Sequence, residues 1–331
     1  MRILVANARG VVHETFFPKD TVAKLERMGE VIWNDMDRNF TKDELREKLK
    51  GIDVCITGWG TPTLDQYVIE EADDLKLVAH TGGTVASLVS DALYDKGVRV
   101  ISGNDIYARS VAEGVIAYIL ASLRDIPRYT DMLRKEGWHN GSWWNEGLLN
   151  QTVGLVGFGA IAKYLVPMLH AFDTKIKVYS SYLTKEEAEK WGVEVASLEE
   201  IFTTCKIISI HSAATPKTYH MINRQLLKMI PQGSLLVNTA RGSVIDEEAL
   251  AQELETGRFK AVLDVYEEEP LPMSSKLRSV PNTILMPHMA GPTIDRRKFV
   301  TEALIEDIKN YFSGKSLKLE ISREYAKRMT R

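Results

Sequence analysis

The chain has 331 residues, 44% of them hydrophobic, which is enough apolar surface for two ordinary globular domains with buried cores. Its 42 basic and 45 acidic residues give a formal net charge of -3, and no basic cluster favours a nucleic acid or a membrane surface as partner. Cys55 and Cys205 stand far apart inside apolar runs, which argues against a disulfide framework or a cysteine metal site. We therefore expect small-molecule partners and no bound metal.

The lengths of the apolar stretches indicate in which cellular compartment to expect the protein. The N-terminal run, residues 1–6, is too short for a signal peptide. No stretch reaches the roughly 18 consecutive apolar residues of a membrane span. The sequence therefore favours a cytoplasmic protein without a membrane partner.

Short β-rich runs alternate with helical segments over residues 1–103, which is typical of a parallel α/β domain. Thr41 and Glu44 have the spacing of a capping box and mark the start of one helix. The predicted strands are residues 3–6, 31–33, 54–56, 77–79 and 98–101.

Two loops after predicted strands are candidate ligand contacts. Residues 58–62 include Trp59, and residues 80–84 include Gly82 and Gly83. Ligands gather at the carboxyl ends of parallel strands, and a Gly-rich loop can offer backbone N–H groups to a carboxylate. The same glycines can serve only as turn residues, so both interpretations stay open at this point.

A change of domain is predicted near residue 103. Ser110 and Glu113 have the spacing of an N-cap and its N3 partner, which predicts a long apolar helix from Ser110 to about Arg124. Beyond it, a polar segment contains Trp138, Trp143 and Trp144. Such a concentration of aromatic surface indicates either a subunit interface or intramolecular packing.

An apolar run then breaks into closely spaced glycines, as when a buried strand turns tightly into a helix. In the stretch Gly157, Phe158, Gly159, Ala160, Ile161 the first glycine permits the turn and the second leaves backbone room for a dinucleotide pyrophosphate. The helix N-terminus would face the phosphates. Alone, the pattern also fits a simple tight turn.

The dinucleotide hypothesis requires an acidic residue about 20 positions later, where it would bind the ribose hydroxyls of NAD. Ser180 stands at the end of that strand instead. A neutral residue removes the repulsion of a 2'-phosphate, yet no arginine follows to bind one. Both NAD and NADP therefore remain open as the cofactor.

Three motifs follow the glycines in order: Asn-Thr-Ala-Arg-Gly at 238–242, Leu-Asp-Val-Tyr-Glu-Glu-Glu-Pro at 263–270 and Pro-His-Met-Ala-Gly at 287–291. Together with residues 110–113 and His211, they resemble the D-isomer-specific 2-hydroxyacid dehydrogenases over nearly the whole chain. Several ordered motifs are far more specific than the glycines alone.

The resemblance implies an α/β fold of two lobes, Rossmann-like and flavodoxin-like, each a doubly wound parallel sheet, with a cleft between them. We expect the dinucleotide-binding domain at residues 104–288. The substrate domain would combine residues 1–103 with residues 289–331.

Chemistry alone suggests roles for three residues. Hydride transfer to a 2-keto acid needs a cation for the carboxylate and a proton donor for the developing alkoxide. Arg241 suits the first role, because a planar guanidinium can bind carboxylate and carbonyl oxygens together. His288 suits the second, because histidine is the side chain that titrates nearest working pH. Glu269 would hydrogen-bond the other ring nitrogen and favour the charged imidazole.

The resemblance assigns the same catalytic roles to Arg241, Glu269 and His288. It also implies two sets of binding residues. The cofactor set is Gly157, Phe158, Gly159, Ala160, Ile161, Ser180, His211, Thr239, Ala240 and Asp264, and the substrate set is Trp59, Gly82, Gly83 and Arg241.

The sequence thus predicts an oxidoreductase that uses NAD or NADP to interconvert a small D-2-hydroxy acid and its 2-keto acid. It would resemble a glyoxylate or hydroxypyruvate reductase, or a phosphoglycerate dehydrogenase, and the D-stereochemistry follows from the resemblance only. The family habit and the tryptophan-rich segment indicate a homodimer. The alternatives are an NAD(H)-sensing regulator or corepressor on the same fold and, less readily, a formate dehydrogenase.

Overall fold

The chain, seen in a computed structural model, divides into two compact units, and the structure describes residues 1–135, 137–138 and 145–330. Unit 1 combines Met1–Ala108 with Pro292–Arg331, and unit 2 is Arg109–Gly291. The sequence placed the corresponding boundaries at residues 103 and 288.

Unit 1 contains a parallel sheet of five strands in the order β2-β1-β3-β4-β5. This is a doubly wound order, as expected of the flavodoxin-like lobe. The strands are β1 Arg2–Val5, β2 Glu30–Trp33, β3 Val54–Thr57, β4 Leu77–His80 and β5 Arg99–Ser102. The helices are α1 Val11–Phe16, α2 Lys19–Glu26, α3 Lys42–Lys48, α4 Gln66–Ile69, α5 Asp91–Asp95, the start of α6 Asn104–Leu123, and two later helices, Arg297–Phe312 and Arg323–Ala326, which are numbered last.

Both faces of this sheet are covered, which explains why its strands are almost uniformly apolar. Leu4 and Cys55 point into one core, whereas Ile3 and Ile56 point into the other, because successive strand residues face opposite sides. Thr41 makes the predicted capping box with Glu44, so that the start of α3 is confirmed.

Unit 2 contains a parallel sheet of seven strands in the order β12-β11-β10-β9-β6-β7-β8, so that the chain reverses direction across the sheet between β6 and β9. The two sheets confirm the predicted α/β class. The strands are β6 Thr152–Val156, β7 Lys175–Tyr179, β8 Glu194–Val195, β9 Ile207–Ile210, β10 Leu235–Asn238, β11 Lys260–Leu263 and β12 Thr283–Leu285. The helices are the end of α6, α7 Ile126–Lys135, α8 Ala160–His170, α9 Lys185–Trp191, α10 Leu198–Thr204, α11 Arg224–Met229 and α12 Glu247–Glu255, with short 3-10 helices at Gly242–Val244 and Lys276–Ser279. The two remaining helices of unit 1 are α13 Arg297–Phe312 and α14 Arg323–Ala326.

The predicted start of the long helix at Ser110 is wrong. α6 begins at Asn104, and its first helical hydrogen bond runs from the Tyr107 N–H to the Gly103 carbonyl at 3.0 Å. Residues 104–109 contain no glycine or proline that would delay the helix, so it forms as soon as β5 ends. Ser110 therefore lies inside the helix and is not its N-cap residue.

By length and composition alone, α6 could also cross a membrane, which was not predicted from the sequence. Its residues Ala112, Val115, Ile119 and Leu123 are buried in the core of unit 2. A core helix passes the same length and composition criterion, so that criterion is weak evidence for a span.

Cys55 and Cys205 are free and buried. Burial raises the pKa of Cys55 to about 12 and that of Cys205 to about 11. Among the described residues, no group of three or more His, Cys, Asp or Glu side chains could hold a metal ion. The interpretation of the tryptophan-rich segment stays a prediction, because Trp143 and Trp144 lie outside the described residues.

Candidate active site

The turn after β6 requires glycine at its first position. Gly157 has a φ of +108°, and a Cβ atom placed on it would lie 2.8 Å from the carbonyl carbon and oxygen of His211. This close approach follows from the sheet order, because β6 and β9 are neighbours and the His211 N–H bonds the Val156 carbonyl at 2.8 Å. Gly157 therefore permits the tight turn, as the sequence predicted.

Gly159 is a glycine for a different reason. A Cβ atom on Gly159 would meet no heavy atom within 4 Å, so the packing of the protein itself does not require glycine there. Gly159 is the N-cap of α8, and no side chain caps this end of the helix. Open space above an uncapped helix N-terminus, bordered by Phe158, Ala160 and Ile161, fits a dinucleotide pyrophosphate.

Two buried polar groups beside this turn lack partners among the described residues. His211 follows β9, and its Nε2 bonds the Ser209 hydroxyl at 2.9 Å, while its Nδ1 has no partner. Thr239 follows β10, and its hydroxyl is likewise unpaired and buried. Buried polar groups normally find partners, so both atoms fit a polar ligand. Burial lowers the pKa of His211 to about 4, which keeps its ring neutral at physiological pH.

The predicted cofactor residues lie along one edge of the unit 2 sheet. Each follows the carboxyl end of its strand, and the strands are neighbours in the order β11, β10, β9, β6 and β7. In that order the residues are Asp264, then Thr239 and Ala240, His211, Gly157 with the turn, and Ser180. The Ser180 hydroxyl accepts the Tyr182 N–H at 3.3 Å. A neutral hydroxyl at this position does not distinguish NAD from NADP.

Arg241 is held by a rigid turn after β10. The side chain of Asn238 accepts the Ala240 N–H at 3.0 Å and donates to the Arg241 carbonyl at 3.0 Å. Arg241 Nη1 donates to the Ala240 carbonyl at 2.6 Å. Burial lowers the pKa of Arg241, and the charge of Glu269 opposes this effect. A guanidinium partly removed from water binds an anion strongly.

Gly242 brings this turn against the loop that carries Glu269. A Cβ atom on Gly242 would lie 1.9 Å from the Tyr266 carbonyl carbon and 2.3 Å from the Glu267 nitrogen. The two backbones can approach so closely only because residue 242 has no side chain. In the sequence Gly242 is only the last residue of the Asn-Thr-Ala-Arg-Gly motif, and its role becomes visible only in the contact with the Tyr266–Glu267 backbone.

Glu269 and His288 form a hydrogen-bonded pair. Glu269 Oε2 lies 2.8 Å from His288 Nδ1, and Glu269 Oε1 accepts the Tyr266 N–H at 3.1 Å. The side chains are 37% and 47% exposed, so the pair is accessible to a substrate. His288 Nε2 has no hydrogen-bond partner among the described residues and can exchange a proton with a ligand.

Asp264 fixes the backbone that follows His288. Its carboxylate accepts the N–H of Met289 at 2.7 Å, the N–H of Ala290 at 2.9 Å and the Tyr118 hydroxyl at 3.1 Å. His288 has a φ of +55°, an uncommon conformation for a residue with a Cβ atom, and these bonds hold it in place. The Tyr118 contact spans 146 positions, and no local sequence signal could have found it.

The predicted substrate loops of unit 1 lie together. A Cβ atom on Gly82 would be 2.4 Å from His80 Nε2 and 3.2 Å from Trp59 Nε1, so glycine is required there. His80 bonds the Thr57 hydroxyl at 2.9 Å through Nδ1, and burial lowers its pKa to about 4. Gly83 lies beside Tyr107, with ordinary room for a side chain.

Comparisons with known proteins identify the family of the chain. Residues 116–290 match the profile of a family described as D-isomer specific 2-hydroxyacid dehydrogenase, NAD binding domain. The chain is 35% identical to the D-3-phosphoglycerate dehydrogenase of Methanocaldococcus jannaschii over 89% of its length and 56% of that protein, so it spans little more than half of this relative. It is 34% identical to the hydroxypyruvate reductase of Thermotoga maritima, over 82% of this chain and 88% of that one. Its fold matches the TT0316 protein of Thermus thermophilus with a TM-score of 0.81, 27% identity and coverage of 97% and 100%.

Proposed function

The chain belongs to the D-isomer specific 2-hydroxyacid dehydrogenases, and from that premise we propose that it transfers a hydride between a nicotinamide dinucleotide and a small D-2-hydroxy acid or its 2-keto acid. The observation that carries the proposal is the His288–Glu269 pair at 2.8 Å, in the same unit as the partly buried Arg241. Relatives named as dehydrogenases and reductases do not favour the regulator alternative.

A nicotinamide dinucleotide supplies or accepts the hydride when it is bound. The turn from Gly157 to Ile161 would hold its pyrophosphate, because the space above Gly159 is open and the N-terminus of α8 is uncapped. Ser180 would contact the adenosine ribose. The unpaired groups of His211 and Thr239, with Ala240 and Asp264, would hold the nicotinamide half.

In the reductive direction, the carbonyl carbon of the keto acid gains a hydride and its oxygen gains a proton. His288 Nε2 donates that proton, and Glu269 stabilises the imidazolium that precedes the transfer. Arg241 binds the substrate carboxylate and polarises the carbonyl. In the oxidative direction, neutral His288 takes the hydroxyl proton instead.

We propose that Trp59, Gly82 and Gly83 also contact the substrate. The support is their common location at the carboxyl ends of β3 and β4, where ligands bind in open parallel sheets. Trp59 is 50% exposed, so it is available to a ligand.

The direct test is a panel of 2-keto acids that includes glyoxylate, hydroxypyruvate and pyruvate, run with NADH and with NADPH while the absorbance of the reduced cofactor is followed. We expect turnover with at least one acid and a clear preference for one cofactor. Tight cofactor binding without turnover of any acid would instead favour a cofactor-sensing protein.

A homodimer in the cytoplasm is the proposed working form, with no nucleic-acid partner. The support is the family resemblance and the mildly acidic net charge of -3. Sedimentation velocity should give twice the mass of one chain, and a monomer across the working concentration range would contradict the dimer.

A further inference from the structure

Three loops at the carboxyl edge of the unit 2 sheet carry much of the candidate site. They follow β9, β10 and β11, which are neighbours in the sheet. The loop after β10 carries Arg241, and the loop after β11 carries Glu269. The loop after β9 is joined to the loop after β10 by the His220 N–H, which donates to the Ser243 carbonyl at 2.9 Å. The relative position of Arg241 and Glu269 therefore depends on how these loops are held together.

The side chain of His220 extends this connection to the loop after β11. Its Nε2 lies 2.5 Å from Glu267 Oε1, and Nε2 is the donor because a carboxylate only accepts hydrogen bonds. The ring stacks on that of Tyr219, with centroids 4.0 Å apart and 13° between the planes. His220 has a φ of +48°, a conformation that costs free energy in a residue with a Cβ atom. The contacts of the ring help to hold the backbone in this conformation.

Glu267 also joins the loop after β11 to α12. Its Oε1 accepts the Glu247 N–H at 3.2 Å, and its own N–H donates to Glu247 Oε2 at 2.9 Å. Glu247 is the first residue of α12, the helix that follows the Arg241 turn. A carboxylate is favourable at a helix N-terminus, because the first N–H groups of a helix have no partner inside it. The carboxylate of Glu267 thus receives hydrogen bonds from the loop after β9 and from the helix that follows the loop after β10.

Glu267 and Glu269 bind different histidines. Glu267 accepts a hydrogen bond from His220, whereas Glu269 Oε2 lies 2.8 Å from His288 Nδ1. The side chains of His220 and Glu267 are 31% and 33% exposed, and pairs so accessible to water contribute little to the stability of a fold. The contact lies only two residues from Glu269, so its main effect is on the geometry of the site.

We propose that His220 is a positioning residue, which through Glu267 holds the loop of Glu269 against the Arg241 turn. The proposal rests on the proposed function. Hydride transfer requires the proton donor and the carboxylate-binding cation to act on one molecule at the same time. A displacement of about 1 Å in such a site can cost about 10²-fold in rate. Loss of the contact between His220 and Glu267 therefore affects turnover far more than it affects stability.

Two replacements of His220 test this role. Asparagine tolerates a positive φ, but its shorter side chain ends before Glu267, so His220→Asn should lower kcat about tenfold or more. Glutamine can again donate a hydrogen bond to Glu267, so His220→Gln should recover most of the rate. Cofactor affinity and melting temperature should stay nearly unchanged in both variants. His170→Asn is the matched control, because His170 bonds the Trp191 carbonyl at 2.9 Å, outside the three loops.

A double-mutant cycle assigns the effect to the pair. Glu267→Ala should lower kcat at least as much as His220→Asn does, and the double variant should lose little more, because both changes remove the same contact. Undiminished kcat in His220→Asn, a loss that glutamine does not restore, or losses that multiply in the double variant would each overturn the proposal. A melting temperature that falls together with kcat in every variant would also overturn it, because the contact would then be structural only.

Hydrogen exchange in the protein without cofactor provides a measurement that does not depend on turnover. The N–H groups of Tyr266 and Glu267 are bonded to Glu269 and Glu247, and they should exchange faster in His220→Asn but not in the control. Unchanged exchange at these two groups would contradict the positioning role. A wild type that turns over no keto acid would reject the proposed function and this proposal together, whereas turnover that is independent of residue 220 would reject this proposal alone.

Discussion

His288 combines two features that sequence and structure reveal separately. Its pairing with Glu269 was predictable, because the order of the motifs and the chemistry of proton transfer both required a partner for the imidazole. Its positive φ of +55° was not predictable. Nor were the three hydrogen bonds that Asp264 accepts, two of which come from Met289 and Ala290, directly after His288. These contacts join segments far apart in sequence, and no local propensity encodes them.

Replacement of His288 by Gln should lower kcat by about 10²–10⁴-fold, the usual contribution of a positioned proton donor, and leave cofactor affinity nearly unchanged. Steady-state kinetics and cofactor titration by fluorescence would measure both. His170→Gln is the matched control, because His170 bonds the Trp191 carbonyl at 2.9 Å and has no catalytic role in the proposal. Undiminished turnover in His288→Gln would reject the proton-transfer role.

Replacement of Glu269 by Gln should lower kcat for reduction by about tenfold or more. Glutamine can keep a hydrogen bond to Nδ1 but carries no charge, so the imidazolium that donates the proton loses a stabilising partner. Steady-state kinetics at a single pH would measure the loss. Glu268→Gln removes the same charge from the neighbouring position and should leave kcat nearly unchanged; equal losses in the two variants would count against the pair.

At the scale of elements, the two glycine turns of the unit 2 site need glycine for different reasons. At Gly242 the backbone of Tyr266 and Glu267 occupies the position that a Cβ atom would take. At Gly159 a Cβ atom would meet no heavy atom of the protein within 4 Å. The sequence shows only two glycines after strands, and the distinction needs coordinates.

Alanine substitutions should separate the two turns. Gly242→Ala should lower the free energy of unfolding by about 2 kcal/mol or more, because backbone must move to admit the methyl group. Gly159→Ala should leave it within about 0.5 kcal/mol and weaken cofactor binding about tenfold or more, because the methyl group enters the space assigned to the pyrophosphate. Urea unfolding and cofactor titration provide the measurements. Unchanged cofactor affinity in Gly159→Ala would contradict the assigned pyrophosphate position.

The elements themselves were predicted unevenly. The five predicted strands of unit 1 agree with β1–β5 to within one or two residues, because a strand covered on both faces has a strong hydrophobic signal. The edge strands β8 and β12 were missed, since Glu194–Val195 has two residues and Thr283–Leu285 has three. The start of α6 was predicted at Ser110 instead of Asn104, because Ser110 and Glu113 have the spacing of an N-cap and its N3 partner by chance. The order in which strands pair and the contact between Tyr118 and Asp264 are non-local, so they could not be predicted from the sequence.

For the whole molecule, buried histidines link stability to acidity. Burial lowers the pKa of His80 to about 4, from an ordinary value of 6.5, so the unfolded chain binds the proton more tightly than the folded one. The contribution of neutral His80 to the free energy of unfolding is therefore fully present above pH 6.5 and is lost as the pH falls from 6.5 toward 4. His80 alone should reduce the free energy of unfolding by up to about 3 kcal/mol across that interval.

Denaturant unfolding of the wild type and of His80→Asn at pH 7 and at pH 4.5 would test this linkage. The variant lacks the titrating ring, so the stability difference between the two proteins should shrink on acidification. A difference that stays constant between the two pH values would show that His80 binds its proton equally well in both states.

The division of unit 1 between two chain segments has a consequence for how the protein is made. The apolar residues Val300, Leu304, Ile305 and Ile308 of α13 fill the same core as Ile3 and Val5. A ribosome that has released residues 1–291 has delivered all of unit 2 but only the first segment of unit 1. Until α13 emerges, the part of the first sheet that α13 covers stays exposed, so unit 1 can complete its core only after all of unit 2 has been synthesised.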